Sequence, residues 1–172
     1  NVSKANFQFN TRDTWCEACC GSGISLSPDP LTIVDFACRI QDLPFRPWRV
    51  SLSEYYQQSL LLFCEEKGIS PDHKFQSLSA KQQDLLLNSE SEKKYKIEFR
   101  SNRRKHTKTS QYRGPLLELR RQLEEDKLPK HRLKYFAHST CEGCKGARFS
   151  AEGLKYRLYG KNIGELYLLE TD

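Results

Sequence analysis

Two matching cysteine stretches near the ends of the chain restrict its fold more than any other feature. The first reads WCEACCGSG from residue 15 and the second reads CEGCKGAR from residue 141, so both follow Cys-x-x-Cys-x-Gly-x-(Gly or Arg). Two thiolates at this spacing can bind one tetrahedral ion across a tight turn. A glycine two residues later permits a backbone that points its amides at the sulfurs. The pattern predicts a structural zinc site built from Cys16 and Cys19 with Cys141 and Cys144.

The spacing leaves other interpretations of the cysteines open. Residues 20–140 separate the two pairs, and a single Cys-x-x-Cys pair can also act as a thiol oxidoreductase, although neither stretch has the strand-to-helix context of one. Cys20 and His138 are competing candidate ligands. Cys20, Cys38 and Cys64 fall outside the paired spacing, and we interpret them as small buried apolar residues.

The composition indicates a soluble cytoplasmic protein without a membrane partner. Apolar residues make up 37% of the 172 positions, and no apolar run approaches the roughly 20 residues that span a bilayer. An odd number of cysteines, most of them in metal-type pairs, favours a reducing compartment over a disulfide scaffold. The chain opens without Met or an apolar leader, and we expect a piece of a longer protein.

Positive charge is concentrated in one segment of the chain. Between Lys93 and Lys134 there are 15 Lys and Arg against 5 Asp and Glu, and the remainder carries 13 against 17. This asymmetry predicts a polyanionic partner, to which His106 and His131 could add contacts, and a solvated charged face is the alternative. There is no Ser-His-Asp arrangement and no Gly-x-x-x-x-Gly-Lys loop, so nothing in the sequence favours catalysis.

The remaining patterns predict an α+β fold with a small zinc-knuckle base of short strands that carries a helical insertion and a β-hairpin. LSPDPLTIVDF indicates a turn and a short strand, and Trp48 is an apolar anchor in a proline-broken loop. We expect one helix capped by Ser53 and ended by Gly68, and a second from Ser79 to Leu87 with Leu85 and Leu86 packed on the first.

The basic segment itself combines a hairpin with two helices. KKYKIEFR alternates with period two, SNRRKH is the predicted basic turn, and TKTSQYR is the returning strand. A helix follows Gly114 and Pro115 and buries Leu116, Leu119 and Leu123. A further short helix after Pro129 buries Leu133 and Phe136, and LKYRLYG is a closing strand.

Several landmarks resemble the UvrA family of bacterial nucleotide-excision-repair ATPases. They are NFQFNTRDTWCEACCGSGISLSPDPLTIVDF, RPWRVSLSEYY, YRGPLLELRRQLEED and CEGCKGARFSAEGLKYRLYGKNIGEL, in the family's order and over nearly the whole chain. The chain has neither a Walker A loop nor a Ser-Gly-Gly signature, so we expect a non-catalytic piece of an ATPase. SNRRKH and NSES lack glycines expected of the family, which leaves a UvrA-like paralogue open.

The resemblance implies an organisation, a ligand set and partners. It implies Cys16, Cys19, Cys141 and Cys144 as zinc ligands, with residues 1–30 and 139–172 forming the two halves of the zinc module. Residues 31–138 would be the insertion domain. The implied partners are double-stranded DNA, the remainder of a dimeric UvrA-type ATPase and a UvrB-type subunit. A zinc-stabilised protein-interaction module is the alternative.

In this interpretation DNA is bound largely through its phosphates, which basic side chains neutralise without reading base edges. The candidate DNA-binding residues lie on the hairpin and the helix after it. They are Arg100, Arg103, Arg104, Lys105, Lys108, Arg113, Arg120 and Arg121.

Overall fold

A computed structural model of the chain describes residues 8, 11–101, 104–167 and 169. The chain divides into two compact units: the first comprises residues 1–27 and 137–172, and the second comprises residues 28–136. Both units contain helices and strands, and the predicted α+β class is confirmed. The functional division predicted from the resemblance, with borders after residues 30 and 138, stays a prediction.

The second unit consists of short helices around one long hairpin. Its elements are α1 (Pro30–Ile33), α2 (Ser53–Lys67), α3 (Ala80–Asn88), β2 (Glu90–Ser101), β3 (Arg104–Arg113) and α4 (Pro115–Glu124). Single segments of 3-10 helix lie at Ile40–Asp42, Arg46–Trp48, Phe75–Ser77 and Lys130–Tyr135.

The first apolar stretch of this unit is a helical turn, so the predicted strand over its apolar residues is wrong. Pro30 occupies the first turn of α1, where its fixed φ suits a helix. The Asp29 carboxylate accepts a hydrogen bond from the Leu31 N–H at 2.9 Å and caps the turn. These two local interactions favour a helix over the strand that the apolar run suggests.

Helices α2 and α3 lie where their apolar spacing predicts. α2 ends at Gly68, whose φ of 66° is the left-handed conformation expected there. Its first residue is Ser53 and its N-cap is Leu52, so capping by Ser53 is wrong. The Ser53 N–H already donates to Val50 O at 2.8 Å in the preceding turn.

Helix α3 is capped by Ser79, the residue at which the second helix is predicted to begin. The Ser79 hydroxyl accepts from the Gln82 N–H at 3.3 Å, and the Gln82 side chain accepts from the Ser79 N–H at 3.0 Å. α3 packs mainly against α4, and its buried residues are Leu86 and Leu87, whereas Leu85 is half-buried. The main contact of α3 is therefore with a later helix and not with α2, on which Leu85 and Leu86 are predicted to pack.

The hairpin confirms the period-two pattern. β2 and β3 pair antiparallel down to Ser101 opposite Arg104. Ile97 is buried between exposed Lys96 and Glu98, so one face is directed to the core. The predicted turn over residues 101–106 is too long, because the strand pairing continues through residues 104–106. Asn102 and Arg103 lie outside the described residues.

Aromatic side chains fill the core of the second unit. Trp48, the predicted anchor, is 2% exposed, and its ring meets Phe45 edge to face with centroids 5.0 Å apart. Phe63 of α2 stacks on Tyr112 of β3 with centroids 4.1 Å apart and planes 7° from parallel. These contacts connect α2 to the hairpin.

The residues after α4 form less helix than predicted. Leu116 and Leu119 are buried as expected and Leu123 is half-buried. After Pro129 only the 3-10 segment forms, and Leu133 is 39% exposed, so its predicted burial is wrong. Phe136 is buried but begins a strand, because pairing with the strand Ile24–Pro28 replaces the helical hydrogen bonds that would continue the segment.

The first unit contains short strands around the cysteine stretches. Its elements are β1 (Ile24–Pro28), β4 (Phe136–Thr140), β5 (Arg157–Leu158), β6 (Lys161–Asn162) and α5 (Ile163–Tyr167). β1 pairs with β4. The predicted closing strand is only two residues long, since Gly153–Lys155 is a 3-10 turn and Gly160 at φ 80° ends β5. Over the described part of the chain no helix is long and apolar enough to cross a membrane.

Candidate metal centre and nucleic-acid interface

The two cysteine pairs meet in the first unit. The Sγ atoms of Cys16, Cys19, Cys141 and Cys144 all lie within 4.8 Å of one another. Cys16 and Cys141 sulfurs are 4.0 Å apart, and Cys19 and Cys144 sulfurs are 3.7 Å apart. A disulfide needs about 2.05 Å between sulfurs, whereas tetrahedral Zn–S bonds of about 2.3 Å separate them by about 3.8 Å. The four sulfurs therefore fit one tetrahedral metal ion.

The two stretches form the same backbone turn. Three positions in each have positive φ, and these positions correspond one to one after an offset of 125 residues. They are Cys20 (49°), Gly21 (77°) and Gly23 (78°) in the first, and Lys145 (49°), Gly146 (84°) and Arg148 (70°) in the second. The sequence repeat is thus a structural repeat, and glycine, which adopts this conformation without strain, occupies three of its six left-handed positions.

Backbone amides from these turns point at the sulfurs. The Gly23 N–H donates to Cys19 Sγ at 3.2 Å, and the Arg148 N–H donates to Cys144 Sγ at 3.3 Å. The Cys16 N–H in turn donates to Arg148 O at 2.8 Å, which connects the two stretches. A Cβ added to Gly23 would lie 3.0 Å from Arg148 Cγ, so that position has little room for a side chain.

The thiols differ in acidity because burial and amides act in opposite directions. Burial raises the pKa of Cys16 to about 12 and also raises the pKa of Cys144. Hydrogen bonding to the backbone N–H of Cys144 lowers the pKa of Cys141 to about 7, although burial opposes it. The pKa of Cys141 is therefore lower than those of Cys16 and Cys144, and a bound metal ion would hold all four as thiolates.

The other candidate ligands lie outside this group. Cys20 is exposed, with its Sγ 3.8 Å from Glu17 O, so its interpretation as a buried residue is wrong. Its counterpart in the second stretch is Lys145, which shows that this position of the turn is directed to solvent. His138 is exposed on β4. Cys64 is buried as predicted, and Cys38 is half-buried.

The candidate DNA-binding residues fall on different surfaces. Arg100 lies opposite Lys105 on the outer face of the hairpin, and both are exposed. Arg104 and Lys108 are also exposed but share the face of Ile97. The ammonium of Lys108 lies over the Tyr55 ring, 5.1 Å from its centroid. The hairpin therefore carries cations on both faces near its tip.

Two of the predicted cations are already paired. Arg113 forms an ion pair with Glu90, and Arg121 contacts Glu125 at 2.7 Å. Hydrogen bonds from Lys127 and Arg121 lower the pKa of the Glu125 carboxyl to about 2. Arg120 is exposed on α4, and Arg103 lies outside the described residues. The unpaired cations of the predicted set are thus concentrated on the hairpin.

Comparison with known proteins identifies the region that contains this hairpin. Residues 29–135 match the family model described as the UvrA DNA-binding domain. The chain belongs to the UvrA family. The family predicted from the sequence is therefore confirmed, and the matched segment is the DNA-binding domain of UvrA and not its ATPase domain.

Full-length UvrA proteins extend well beyond this chain. The UvrABC system protein A of Mesorhizobium japonicum is 31% identical over 164 residues, which cover 93% of this chain and 17% of that protein. The Staphylococcus aureus protein of the same name is 30% identical over 167 residues, with the same coverage. The chain therefore spans about a sixth, 17%, of the length of these UvrA relatives.

A solved structure has the same fold. The crystal structure of UvrA2 from Deinococcus radiodurans matches with a TM-score of 0.70 and 16% identity, covering 94% of this chain and 21% of that one. A match of this coverage extends on both sides of residues 29–135, so it includes parts of both units.

Sequence reasoning missed a cleft in the UvrA DNA-binding segment. Tyr55 and Tyr56 of α2, Lys108 of β3 and Glu118 of α4 line a cavity of about 190 Å³. Glu118 accepts hydrogen bonds from Trp48 Nε1 at 2.9 Å and Tyr56 OH at 3.3 Å. Burial, reinforced by the Glu118 charge, raises the pKa of Tyr56 to about 12. The signal available in the sequence was the tyrosine pair close to a basic hairpin.

Proposed function

We propose that the chain is a non-catalytic DNA-binding and structural module of a UvrA-type excision-repair ATPase. In this proposal it contacts DNA largely through phosphates. The observation that carries the proposal is the exposed cationic hairpin, which lies within the segment that matches the UvrA DNA-binding domain. Such a surface attracts the phosphate backbone and releases its condensed counterions.

The hairpin cations suit phosphates better than base edges. Ion pairs among the described residues do not involve Arg100, Arg104 or Lys105. Base readout requires side chains held in a defined hydrogen-bond geometry, whereas phosphate contacts tolerate long, unsupported side chains. Binding of this kind is independent of sequence, which a protein that surveys DNA for damage requires.

Within the predicted set, the side chains of Arg100, Arg104 and Lys105 are the principal contacts in our proposal. Arg113 and Arg121 would first have to leave carboxylate partners. Lys108 and Arg120 are secondary contacts, since Lys108 lies over a tyrosine ring and Arg120 lies on α4.

We further propose that Cys16, Cys19, Cys141 and Cys144 hold one structural zinc ion. Four thiolates at these distances match the preference of zinc for closed tetrahedral sulfur sites. When bound, the ion supplies a cross-link between the two segments of the first unit and offers no open position for substrate.

A salt titration of DNA affinity tests the phosphate contacts. Fluorescence anisotropy with a labelled random-sequence duplex should show log K falling with log salt concentration, by about 0.9 for each phosphate neutralised. Replacing Arg100, Arg104 and Lys105 together by Ala should reduce that slope by about 2.7.

A charge-matched control separates local contacts from net charge. Arg39, Lys74 and Lys81 are exposed cations of the same unit away from the hairpin. Their triple replacement by Ala should leave the slope nearly unchanged. An equal reduction of the salt slope in both triple variants would contradict DNA binding at the hairpin.

A protein-interaction module is the second candidate, favoured by apolar exposure in the first unit. Leu158 and Tyr159 of the β5–β6 hairpin are 60% and 98% exposed. The corresponding partners would be the remainder of the UvrA-type ATPase, its dimer mate or a UvrB-type subunit. A chain that fails to bind any duplex DNA at low salt would favour this candidate over the first.

A further inference from the structure

We propose that the cleft beside the hairpin binds one unstacked base of DNA. This inference rests on the proposed DNA binding and adds a base contact to the phosphate contacts. The cleft measures about 190 Å³, below the roughly 300–1,000 Å³ of ordinary small-molecule sites. It therefore suits a single planar ring extruded from a duplex better than a larger ligand.

The Tyr55 ring is oriented as a stacking surface. It is half-buried and meets Tyr56 at 71° and Phe99 at 68°, with centroids 5.2 and 5.3 Å away. Both contacts are edge to face, so neighbouring rings fix its orientation without a parallel stack. This resembles the aromatic platforms on which proteins stack unpaired bases.

Lys108 lies over the face of the Tyr55 ring on which a base would stack. Its ammonium lies 5.1 Å from the Tyr55 centroid. An exposed contact between a cation and a ring is weaker than stacking of a base on the same ring. A base can therefore displace the ammonium, and Lys108 is then available to the phosphate of the same nucleotide.

Polar atoms of the cleft add hydrogen-bonding capacity. Arg113 lines the cleft, and its guanidinium is paired with Glu90. Gln111 also lines it and donates its side-chain N–H to Ser91 O at 2.7 Å, which directs the amide and leaves its oxygen as an acceptor. An acceptor beside an aromatic ring can hydrogen-bond the amino group of an extruded base.

A neighbouring cavity is a poorer candidate. It measures about 260 Å³ and is lined by Glu54, Glu98, Arg100 and Lys105 together with Phe99. The Phe99 ring is already stacked on His106, with centroids 5.5 Å apart and planes 22° from parallel, so that face is not open to a base. Tyr55 instead meets its neighbouring rings edge to face.

The test compares two labelled duplexes that differ only in one extra unpaired adenine. We expect the chain to bind the bulged duplex about tenfold more tightly, since stacking of a base on a protein ring stabilises by that order. Tyr55→Ala should abolish the preference, so that both duplexes bind alike, whereas Tyr55→Phe should retain the preference. Thermal melting followed by Trp48 fluorescence, with Trp15→Phe added to each variant, verifies that each variant is folded.

A spectroscopic measurement locates the contact. A 2-aminopurine at the bulged position should be quenched by the unsubstituted chain and by Tyr55→Phe, but not by Tyr55→Ala. Equal affinity of the unsubstituted chain for both duplexes would overturn this inference while leaving the DNA-binding proposal intact. Failure to bind either duplex would instead overturn the proposed function.

Discussion

The two units of the chain are stabilised in different ways. The second unit buries Phe45, Trp48, Phe63 and Tyr112 almost completely, so apolar burial can hold it together. In the first unit the buried core residues that the structure describes are Phe149 and three cysteines of the four-sulfur group. So small a core rarely supports a fold without a cross-link. In our proposal one unit depends on its interior and the other on a metal ion.

Removal of the metal should show the difference between the two units most clearly. Apparent binding free energies at structural zinc sites are about 10–16 kcal/mol, and binding energy there is largely folding energy. The chain has one tryptophan in each unit, Trp15 in the first and Trp48 in the second. In a Trp48→Phe variant, chelation should shift the Trp15 emission to that of an exposed indole. In a Trp15→Phe variant, the Trp48 emission should hardly change.

Metal content should be measured on the same samples. We expect one zinc ion per chain before chelation, and restoration of the Trp15 signal when zinc is returned. An unchanged Trp15 signal after complete metal removal would show that the first unit does not need a cross-link.

Cysteine substitutions should sharpen the comparison at single positions. Cys16→Ser and Cys141→Ser each remove one ligand from the same group of sulfurs, so both should destabilise the first unit by more than about 4 kcal/mol, at the extreme of single substitutions. Denaturant unfolding followed by Trp15 emission measures the free energy of unfolding. Cys20→Ser is the matched control, because Cys20 is exposed and lies outside the group. A large loss of unfolding free energy in Cys20→Ser, or unequal losses in Cys16→Ser and Cys141→Ser, would contradict the proposal that the four cysteines share one ion.

A cavity in the second unit should have a smaller effect, and that effect should fall on the second unit while the metal site stays intact. Phe63→Ala removes a fully buried ring that stacks on Tyr112, and such truncations destabilise by about 3–5 kcal/mol. Unfolding followed by Trp48 emission should show this loss, while zinc content stays at one ion per chain. Phe63→Leu, which retains more of the volume, should lose less. Loss of zinc in folded Phe63→Ala would mean that the two units are not stabilised separately.

Local patterns predicted the elements whose hydrogen bonds and burial are themselves local. Alternation around Ile97 predicted the hairpin, and the segment that begins at Ser79 predicted the start of α3, because each signal lies within one or two turns of chain. The same reasoning failed for Leu133. Burial of that side chain depended on a helix, and pairing of β4 with the distant β1 ends the helical segment at Tyr135.

Cysteine spacing predicted part of the candidate site. The repeated pattern identified the four cysteines, but it did not distinguish Cys20 as exposed, because the direction of a side chain depends on the positive φ of its turn. The tyrosine cleft was not predicted at all. Tyr55, Lys108 and Glu118 come from three elements that are far apart in the chain.

By itself the sequence determined the two cysteine turns, the polarity of the hairpin and the family, since these depend on residue types at short fixed spacings. The tertiary structure decided that the two pairs meet across 125 residues, with sulfurs 4.0 and 3.7 Å apart. It also decided which cations are paired with carboxylates and where an aromatic cleft opens beside the hairpin. Those features arise from contacts between distant segments, and such contacts form only when the whole chain packs.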